Sequence, residues 1–181
     1  LIIGSLVTGK VKIKNLLESD DVIATLEALK TLGIKIKKNK NIWEVLGCGI
    51  GNLSGSDYRL DMGNSGTGSR LLMGLIAGSD VEATILGDES LSKRPMKRII
   101  KPLIKTGAFF DNPTNDNLPI KIRGSKIPLP LEYNSPVASA QIKSSILLAG
   151  LSSTGNTTVI EPTLSRDHTE RMLKYLGAII T

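Results

Sequence analysis

The segment Gly63-Asn-Ser-Gly-Thr-Gly-Ser-Arg70 has the residue types that bind anions. It is a loop of small residues that runs directly into an apolar, helix-like stretch from Leu71 to Ala77. A helix start presents unpaired N–H groups and about half a positive charge, and glycine lets a ligand approach the backbone. The sequence therefore predicts an anion site to which Arg70 adds a guanidinium. The alternative is a tight turn needed only for packing.

Two familiar glycine motifs do not fit this chain. A P-loop ends in Lys followed by Ser or Thr, whereas Arg70 is followed by Leu71. The segment Gly47-Cys-Gly-Ile-Gly51 lacks both the glycine spacing and the following helix of a dinucleotide fingerprint. The sequence thus contains no motif for a magnesium nucleotide or a dinucleotide.

Polar side chains also stand at other predicted helix starts. Ser139 and Gln141 precede a second apolar run, where they can bind hydroxyls and phosphate oxygens of a ligand; an ordinary N-cap is the alternative. Arg94 and Arg166 occupy matching positions in two repeats, and guanidinium suits carboxylate and phosphate. These arginines either converge on one cleft or are solvated surface groups. We interpret His168 as a helix-start residue rather than a general base.

Three similar endings recur along the chain. In each, an apolar helical pattern with a lysine in its last turn meets a glycine, at Gly33, Gly107 and Gly177. Glycine after a helix commonly adopts the left-handed conformation, and a cation suits the negative helix end. We therefore predict that a helix ends before each of these glycines and that a strand follows it.

The match between the three copies extends upstream. Each copy has an apolar run, then a strand rich in Thr, Val and Ile, then a polar start to a second helix. The apolar runs are Leu1 to Leu6, Leu71 to Ala77 and Ile146 to Leu151; the strands are Lys10 to Leu16, Val81 to Leu86 and Thr157 to Ile160. The second helices are predicted to start at Ser19-Asp-Asp, at Ser92-Lys-Arg-Pro95 with proline in the first turn, and at Asp167-His-Thr-Glu170 with capping-box spacing.

A helix that is apolar on every face must be buried, and the run from Leu71 to Ala77 has this character. We predict an α/β (α+β) lobe of repeated units with pseudo-threefold symmetry, buried central helices and outer sheets. The units are residues 1–50, 51–124 and 125–181. The first is expected to lack its beginning and the third its end, so we expect the chain to be a fragment.

Composition narrows the function classes. The formal charge of +6 would suit nucleic acid, but 3% aromatic residues give little for stacking bases, so small anions explain the charge better. One cysteine, Cys48, and one histidine offer no metal-ligand cluster. No run approaches the roughly 18 apolar residues of a membrane span, and no signal-peptide pattern is present. We expect a cytoplasmic protein.

Four segments together resemble the 5-enolpyruvylshikimate-3-phosphate synthase family. They are Gly63-Asn-Ser-Gly-Thr-Gly-Ser-Arg70, Leu91-Ser-Lys-Arg-Pro95, Ala138-Ser-Ala-Gln141 with Lys143-Ser, and Ser165-Arg-Asp-His-Thr-Glu170. The likeness covers essentially the whole chain and includes the order and spacing of the motifs. A related enzyme that transfers enolpyruvate to a UDP-sugar shares the fold, but the last two motifs are those of the shikimate enzyme.

The resemblance implies an enzyme of two lobes, each with three βαβαββ units, of which this chain is similar to the lobe nearer the N-terminus. The second lobe belongs to the same polypeptide, and the complete protein is expected to be a monomer. It closes on phosphoenolpyruvate and shikimate-3-phosphate, adds the 5-hydroxyl to the enolpyruvyl carbon and expels phosphate. No metal or organic cofactor, nucleic acid or membrane is implied.

The resemblance also implies site residues. Phosphoenolpyruvate contacts fall on Asn64, Gly66, Thr67, Arg94 and Gln141, and shikimate-3-phosphate contacts fall on Ser139, Ala140, Gln141 and Arg166. Ala140 stands where some members have a second serine. The family's Lys-Ser and Arg motif is expected upstream of Leu1, and its proton-transfer groups in the second lobe. We therefore assign no catalytic residue here, and we expect the isolated chain to be inactive and the complete enzyme to be sensitive to glyphosate.

The remaining alternative is a non-catalytic module that binds anions or nucleic acid, which only the net charge favours. Such a module should lose affinity steeply with added salt and should not depend on Ser139 or Gln141.

Overall fold

Residues 2–48 form two helices and a three-stranded sheet in the computed structural model, which describes all 181 residues. The elements are α1 (Ile2–Ser5), β1 (Thr8–Lys14), α2 (Asp20–Thr31), β2 (Lys35–Asn39) and β3 (Ile42–Cys48). Strand β3 lies between β1 and β2 and is antiparallel to both. Alternation along β1 exposes its lysines and turns Val11 and Ile13 inward.

Residues 54–123 form a second sheet with its own helices. The elements are β4 (Ser54–Asp61), α3 (Gly66–Ala77), β5 (Asp80–Leu86), α4 (Glu89–Ser92), α5 (Lys97–Lys105), β6 (Phe109–Phe110) and β7 (Ile120–Arg123). The strand order is β4-β5-β7-β6. Strands β4 and β5 are parallel, and the other pairs are antiparallel.

The last part of the chain forms a third, smaller group of elements. They are β8 (Glu132–Asn134), α6 (Ala140–Gly150), β9 (Thr158–Ile160) and α7 (His168–Tyr175). Strands β8 and β9 pair in parallel across α6, as β4 and β5 do across α3.

The sheets repeat one plan. The order β1-β3-β2 in the first sheet matches β5-β7-β6 in the second, with the same antiparallel pairings. The parallel pair β8-β9 matches β4-β5. The predicted α/β class with repeated units and outer sheets is confirmed, whereas the unit boundaries at residues 50 and 124 remain a prediction.

Helix α3 lies at the centre of the fold. Nine of its residues are buried, and it packs against α1, α2, α5 and α6 as well as β5 and β7. The seam between α3 and α6 is backbone against backbone, because a methyl group at Gly74 would lie 2.2 Å from the carbonyl oxygen of Ser145. None of the helices combines the length and apolarity that crossing a membrane would require.

The predicted glycine helix ends are confirmed. Gly33, Gly107 and Gly177 have φ angles of 90°, 95° and 98° and follow α2, α5 and α7. Each of these helices has a lysine in its last turn. Strands β2 and β6 follow the first two glycines, but the strand predicted after Gly177 is absent because residues 178–181 pair with no other strand.

One predicted helix start is wrong, and one predicted capping box does not form. Ser92 ends α4 and Pro95 lies in the link before α5, so proline does not stand in a first turn. The helix begins earlier because Asp88 caps α4, accepting from the amide of Leu91 at 2.7 Å. The start predicted at Asp167 is confirmed, because Asp167 is the N-cap of α7, but its side chain makes no capping bond.

Candidate functional site

The glycine-rich loop before α3 is held in place by hydrogen bonds from both sides. Ser65 is the N-cap and accepts from the amide of Gly68 at 3.2 Å. Asn64 donates its side-chain amide to Asp88 at 2.7 Å and accepts from Arg94. The amide of Leu91 and the side-chain amide of Asn64 lower the pKa of the Asp88 carboxyl. The loop is therefore fixed to the short helix α4.

Two guanidinium groups flank Gly66. A methyl group at Gly66 would lie 3.0 Å from Nη1 of Arg94 and 3.3 Å from Nη1 of Arg70. Burial, followed by the charge of Arg94, lowers the pKa of Arg70. Every salt bridge of the chain uses a lysine, so neither arginine has a carboxylate partner. Two positive charges that form no salt bridge, beside a helix start, favour a bound anion.

Gln141 joins the starts of α3 and α6. Its amide nitrogen donates to the hydroxyl of Thr67 at 2.8 Å, and its carbonyl oxygen accepts from Nη1 of Arg70 at 3.0 Å. Arg70 also donates to the carbonyl oxygen of Pro95 at 3.2 Å. The structure therefore brings Asn64, Gly66, Thr67, Arg94 and Gln141 into one group, with Arg70 as the link between them.

Ser139, Ala140 and Arg166 make none of the side-chain hydrogen bonds that join this group. Ser139 is the N-cap of α6, its hydroxyl accepting from the amide of Ile142 at 3.4 Å, and Ala140 is the first residue of that helix. Arg166 is exposed and makes no hydrogen bond or ion pair, and the structure does not join it to Arg94. His168, the first residue of α7, is also exposed.

A buried ion cluster near Ser139 was not anticipated. It consists of Lys143, Glu161 and Glu170. Nζ of Lys143 lies 2.9 Å from Oε2 of Glu161 and 2.7 Å from Oε1 of Glu170. Burial acts to lower the pKa of Lys143, but hydrogen bonds from Lys143 to Glu170 and Glu161 outweigh it and leave that pKa raised. Burial acts to raise the pKa of Glu161, yet its bonds to Lys143 and Ser165 leave it lowered. The sequence signal was a lysine in a helix that is largely buried.

The arrangement suits recognition of phosphate and carboxylate groups. Guanidinium forks, a side-chain amide, hydroxyls and free helix-start N–H groups converge around Gly66. Two cavities of about 680 and 560 Å³ lie elsewhere. The first is lined mainly by residues of α6, β9 and the C-terminal segment and includes Lys143 and Glu170, and the second mainly by residues around α1 and the end of α7. No group of three or more His, Cys, Asp or Glu side chains is placed to hold a metal ion.

The fold matches that of solved enolpyruvyl-transferring enzymes. EPSP synthase from Acinetobacter baumannii superposes with a TM-score of 0.91 at 40% sequence identity, over 99% of this chain and 41% of that one. A second structure of the Acinetobacter baumannii enzyme gives the same TM-score. Repeated α/β units of this architecture thus define a lobe of the enolpyruvyl transferase-like class.

Sequence comparison identifies the family within this class. A family model described as EPSP synthase (3-phosphoshikimate 1-carboxyvinyltransferase) matches residues 1–181. The 3-phosphoshikimate 1-carboxyvinyltransferases of Parvibaculum lavamentivorans and Rhodospirillum rubrum are 51% and 49% identical, each over 99% of this chain. The chain belongs to the EPSP synthase family. It spans 40% and 41% of the lengths of these two relatives.

Proposed function

We propose that this chain supplies part of the substrate site for transfer of the enolpyruvyl group from phosphoenolpyruvate to the 5-hydroxyl of shikimate-3-phosphate, with release of phosphate. The observation that carries the proposal is the pair of guanidinium groups around Gly66, which form no salt bridge and are tied through Gln141 to the start of α6. Membership of the EPSP synthase family supports the reaction and its acceptor.

On the phosphoenolpyruvate side, Arg94, Asn64, Gly66 and Thr67 form the proposed contacts. Arg94 neutralises charge on the substrate and on the phosphate that leaves, and the missing side chain of Gly66 lets that group reach both guanidiniums. Asn64 holds Arg94 in this orientation through its own bond to Asp88.

On the acceptor side, Ser139, Ala140 and Arg166 form the proposed contacts with shikimate-3-phosphate, and Gln141 lies between the two substrates. Ser139 and the free amides at the start of α6 offer donors for phosphate oxygens. Ala140 contributes its backbone only. Arg166 is exposed and has no protein partner, so its guanidinium is available for a ligand.

The chemistry requires two stages. The 5-hydroxyl oxygen adds to C2 of phosphoenolpyruvate and gives up its proton while the methylene carbon gains one, which gives a tetrahedral intermediate. Loss of phosphate and of a methyl proton then restores the enol ether. We assign the residues above to binding and charge stabilisation and name no general acid or base in this chain.

The test is phosphate release from phosphoenolpyruvate by the protein extended to its full reading frame. We expect release with shikimate-3-phosphate, none without an acceptor and none with a UDP-sugar. Release with the UDP-sugar alone would contradict the acceptor assignment. Tight, steeply salt-dependent binding of nucleic acid without any release would favour a binding module instead.

A matched pair of arginine variants checks the site. Arg94→Met should lower kcat/KM for phosphoenolpyruvate by about a hundredfold, because it removes one charged donor. Arg98→Met, an exposed position in α5, should leave it unchanged. Equal effects of the two variants would refute the assignment.

The 181-residue chain alone should release no phosphate. The cytoplasmic setting and the monomeric state of the complete protein remain predictions.

A further inference from the structure

The buried ion cluster of Lys143, Glu161 and Glu170 lies against the proposed acceptor contacts. The side chains are 11%, 7% and 18% exposed, and the lysine bonds both carboxylates at under 3 Å. One positive and two negative groups are thus withdrawn from water together. Lys143 comes from α6, Glu161 from the end of β9, and Glu170 from α7.

Glu161 ties two separate segments to each other. Its Oε1 accepts from the backbone amide of Ser139 at 3.1 Å. Its Oε2 accepts from the hydroxyl of Ser165 at 2.9 Å and from the Ser165 amide at 3.4 Å. One carboxylate therefore fixes the N-cap of α6 and the residue immediately before Arg166.

Glu170 fixes the other side of Arg166. Its Oε1 lies 2.7 Å from Nζ of Lys143, and the neighbouring hydroxyls of Ser144 and Thr169 are 2.7 Å apart. These contacts hold the start of α7 against α6. The segment that carries Arg166 is thus anchored at both ends, although the exposed Arg166 side chain makes no hydrogen bond or salt bridge itself.

Stability alone explains this cluster poorly. Removing charges from water costs free energy that ion pairing seldom exceeds, and apolar residues of similar size are often equal or better. Here the charges do not balance, and Oε2 of Glu170 is buried without a hydrogen-bond partner. Burying this cluster costs free energy, and its bonds reach both segments of the proposed acceptor site. Holding those segments in position therefore explains the cluster better than packing does.

We propose that Lys143 is a positioning residue for the acceptor subsite, holding Glu161 and Glu170 so that Ser139 and Arg166 face one ligand. The inference rests on the proposed function, because only that function assigns the two residues to shikimate-3-phosphate. Lys143 touches no substrate and acts through the carboxylates. The proposed phosphoenolpyruvate contacts Asn64, Gly66 and Arg94 are held by bonds that do not involve α6.

The experiment measures both KM values in the full-length protein. Lys143→Met should raise KM for shikimate-3-phosphate about tenfold or more, since small misplacements of binding groups cost affinity, and should change KM for phosphoenolpyruvate less than about twofold. Lys143→Arg should recover part of the loss. Lys30→Met is the control, because Lys30 makes a surface ion pair with Glu27 at 2.8 Å and should change neither KM.

Several outcomes would overturn the proposal. It fails if Lys143→Met leaves the shikimate-3-phosphate KM unchanged, or if both KM values rise together. If Lys143→Met does not fold, Glu161→Gln is tested instead, because it keeps the side-chain shape but replaces an acceptor oxygen with a donor. Glu161→Gln should raise KM for shikimate-3-phosphate and leave KM for phosphoenolpyruvate unchanged. A wild-type protein that releases no phosphate with shikimate-3-phosphate refutes the function and the inference, whereas an active wild type with an indifferent Lys143→Met refutes only the inference.

Discussion

Replacing Gly74 by alanine tests the close seam between α3 and α6. The new methyl group would lie 2.2 Å from the carbonyl oxygen of Ser145 and 2.7 Å from its Cα, where ordinary contacts begin at 3.4 Å. Because both atoms are backbone, no side chain can turn away, and the helices must separate by about 1.2 Å. Overpacking of this kind costs about 3 kcal/mol, and the better helix propensity of alanine returns about 1 kcal/mol.

The net loss of about 2 kcal/mol should lower the midpoint of urea unfolding by about 1 M, for a denaturant slope near 2 kcal/mol per M. Circular dichroism of the 181-residue chain through a urea series measures this shift. Gly78→Ala should give a smaller loss, because its methyl group would lie 2.6 Å from the carbonyl oxygen of Ala149.

Gly4→Ala is the matched control, since Gly4 is also a buried helical glycine. Its methyl group would meet nothing closer than Val11 at 3.7 Å, which is ordinary contact. We expect it to unfold at the wild-type midpoint or slightly above. If Gly74→Ala and Gly4→Ala unfolded at the same urea concentration, the close backbone seam would be refuted.

Three further predictions concern the site. Gly66→Ala should raise KM for phosphoenolpyruvate about threefold to tenfold in the full-length enzyme, because two guanidiniums must shift by a few tenths of an ångström. An unchanged KM would contradict the close approach of both guanidiniums to Gly66. Ser139→Ala should lower the free energy of unfolding by about 1 kcal/mol in thermal melts, since the α6 cap is lost, and a neutral result would contradict the capping role. The pKa of Glu161 is lowered, so its stabilising effect is present above the ordinary glutamate pKa of about 4.3 and is lost as the pH falls through its lower folded value. Urea midpoints from neutral pH down to acid should therefore fall less steeply in Glu161→Gln than in wild type, and parallel curves would argue against this linkage.

Features governed by local rules were predictable from the sequence. The ends of α2, α5 and α7 follow from glycine after a helical pattern, and the burial of α3 follows from a run that is apolar on every face. The glycine-rich turn into α3 was also predictable from local sequence, since Ser65 and the glycines around it lie within one turn.

The errors arose where two local signals compete. Ser92 and Pro95 together suggest a helix start, but Asp88 has an equally good capping side chain four residues earlier and captures the Leu91 amide. The chain then turns between α4 and α5, and proline falls in that turn. At α7, Glu170 has the spacing of a capping box but pairs with Lys143 instead.

Contacts between distant parts of the chain could not be predicted. Arg70 and Gln141 are 71 residues apart, and Ser139 and Glu161 are 22 apart. Nothing in either neighbourhood specifies the partner, because each side chain is also an ordinary residue for its own position. Lys143 was the exception, because a lysine in a largely buried helix predicts a buried counter-charge, although not which residue supplies it. The roles of the individual site residues stay predictions.

The three sheets have a consequence for how the chain acquires its structure. Every strand pairs with partners from its own stretch of sequence, within residues 8–48, 54–123 or 132–160. Strands that are close in sequence pair early, because little chain entropy is lost when the loop between them closes. We therefore expect the sheets to form as separate cooperative units, with docking of α3 on α6 as the later event. Hydrogen exchange during refolding would then protect strand amides before the amides at the helix seam.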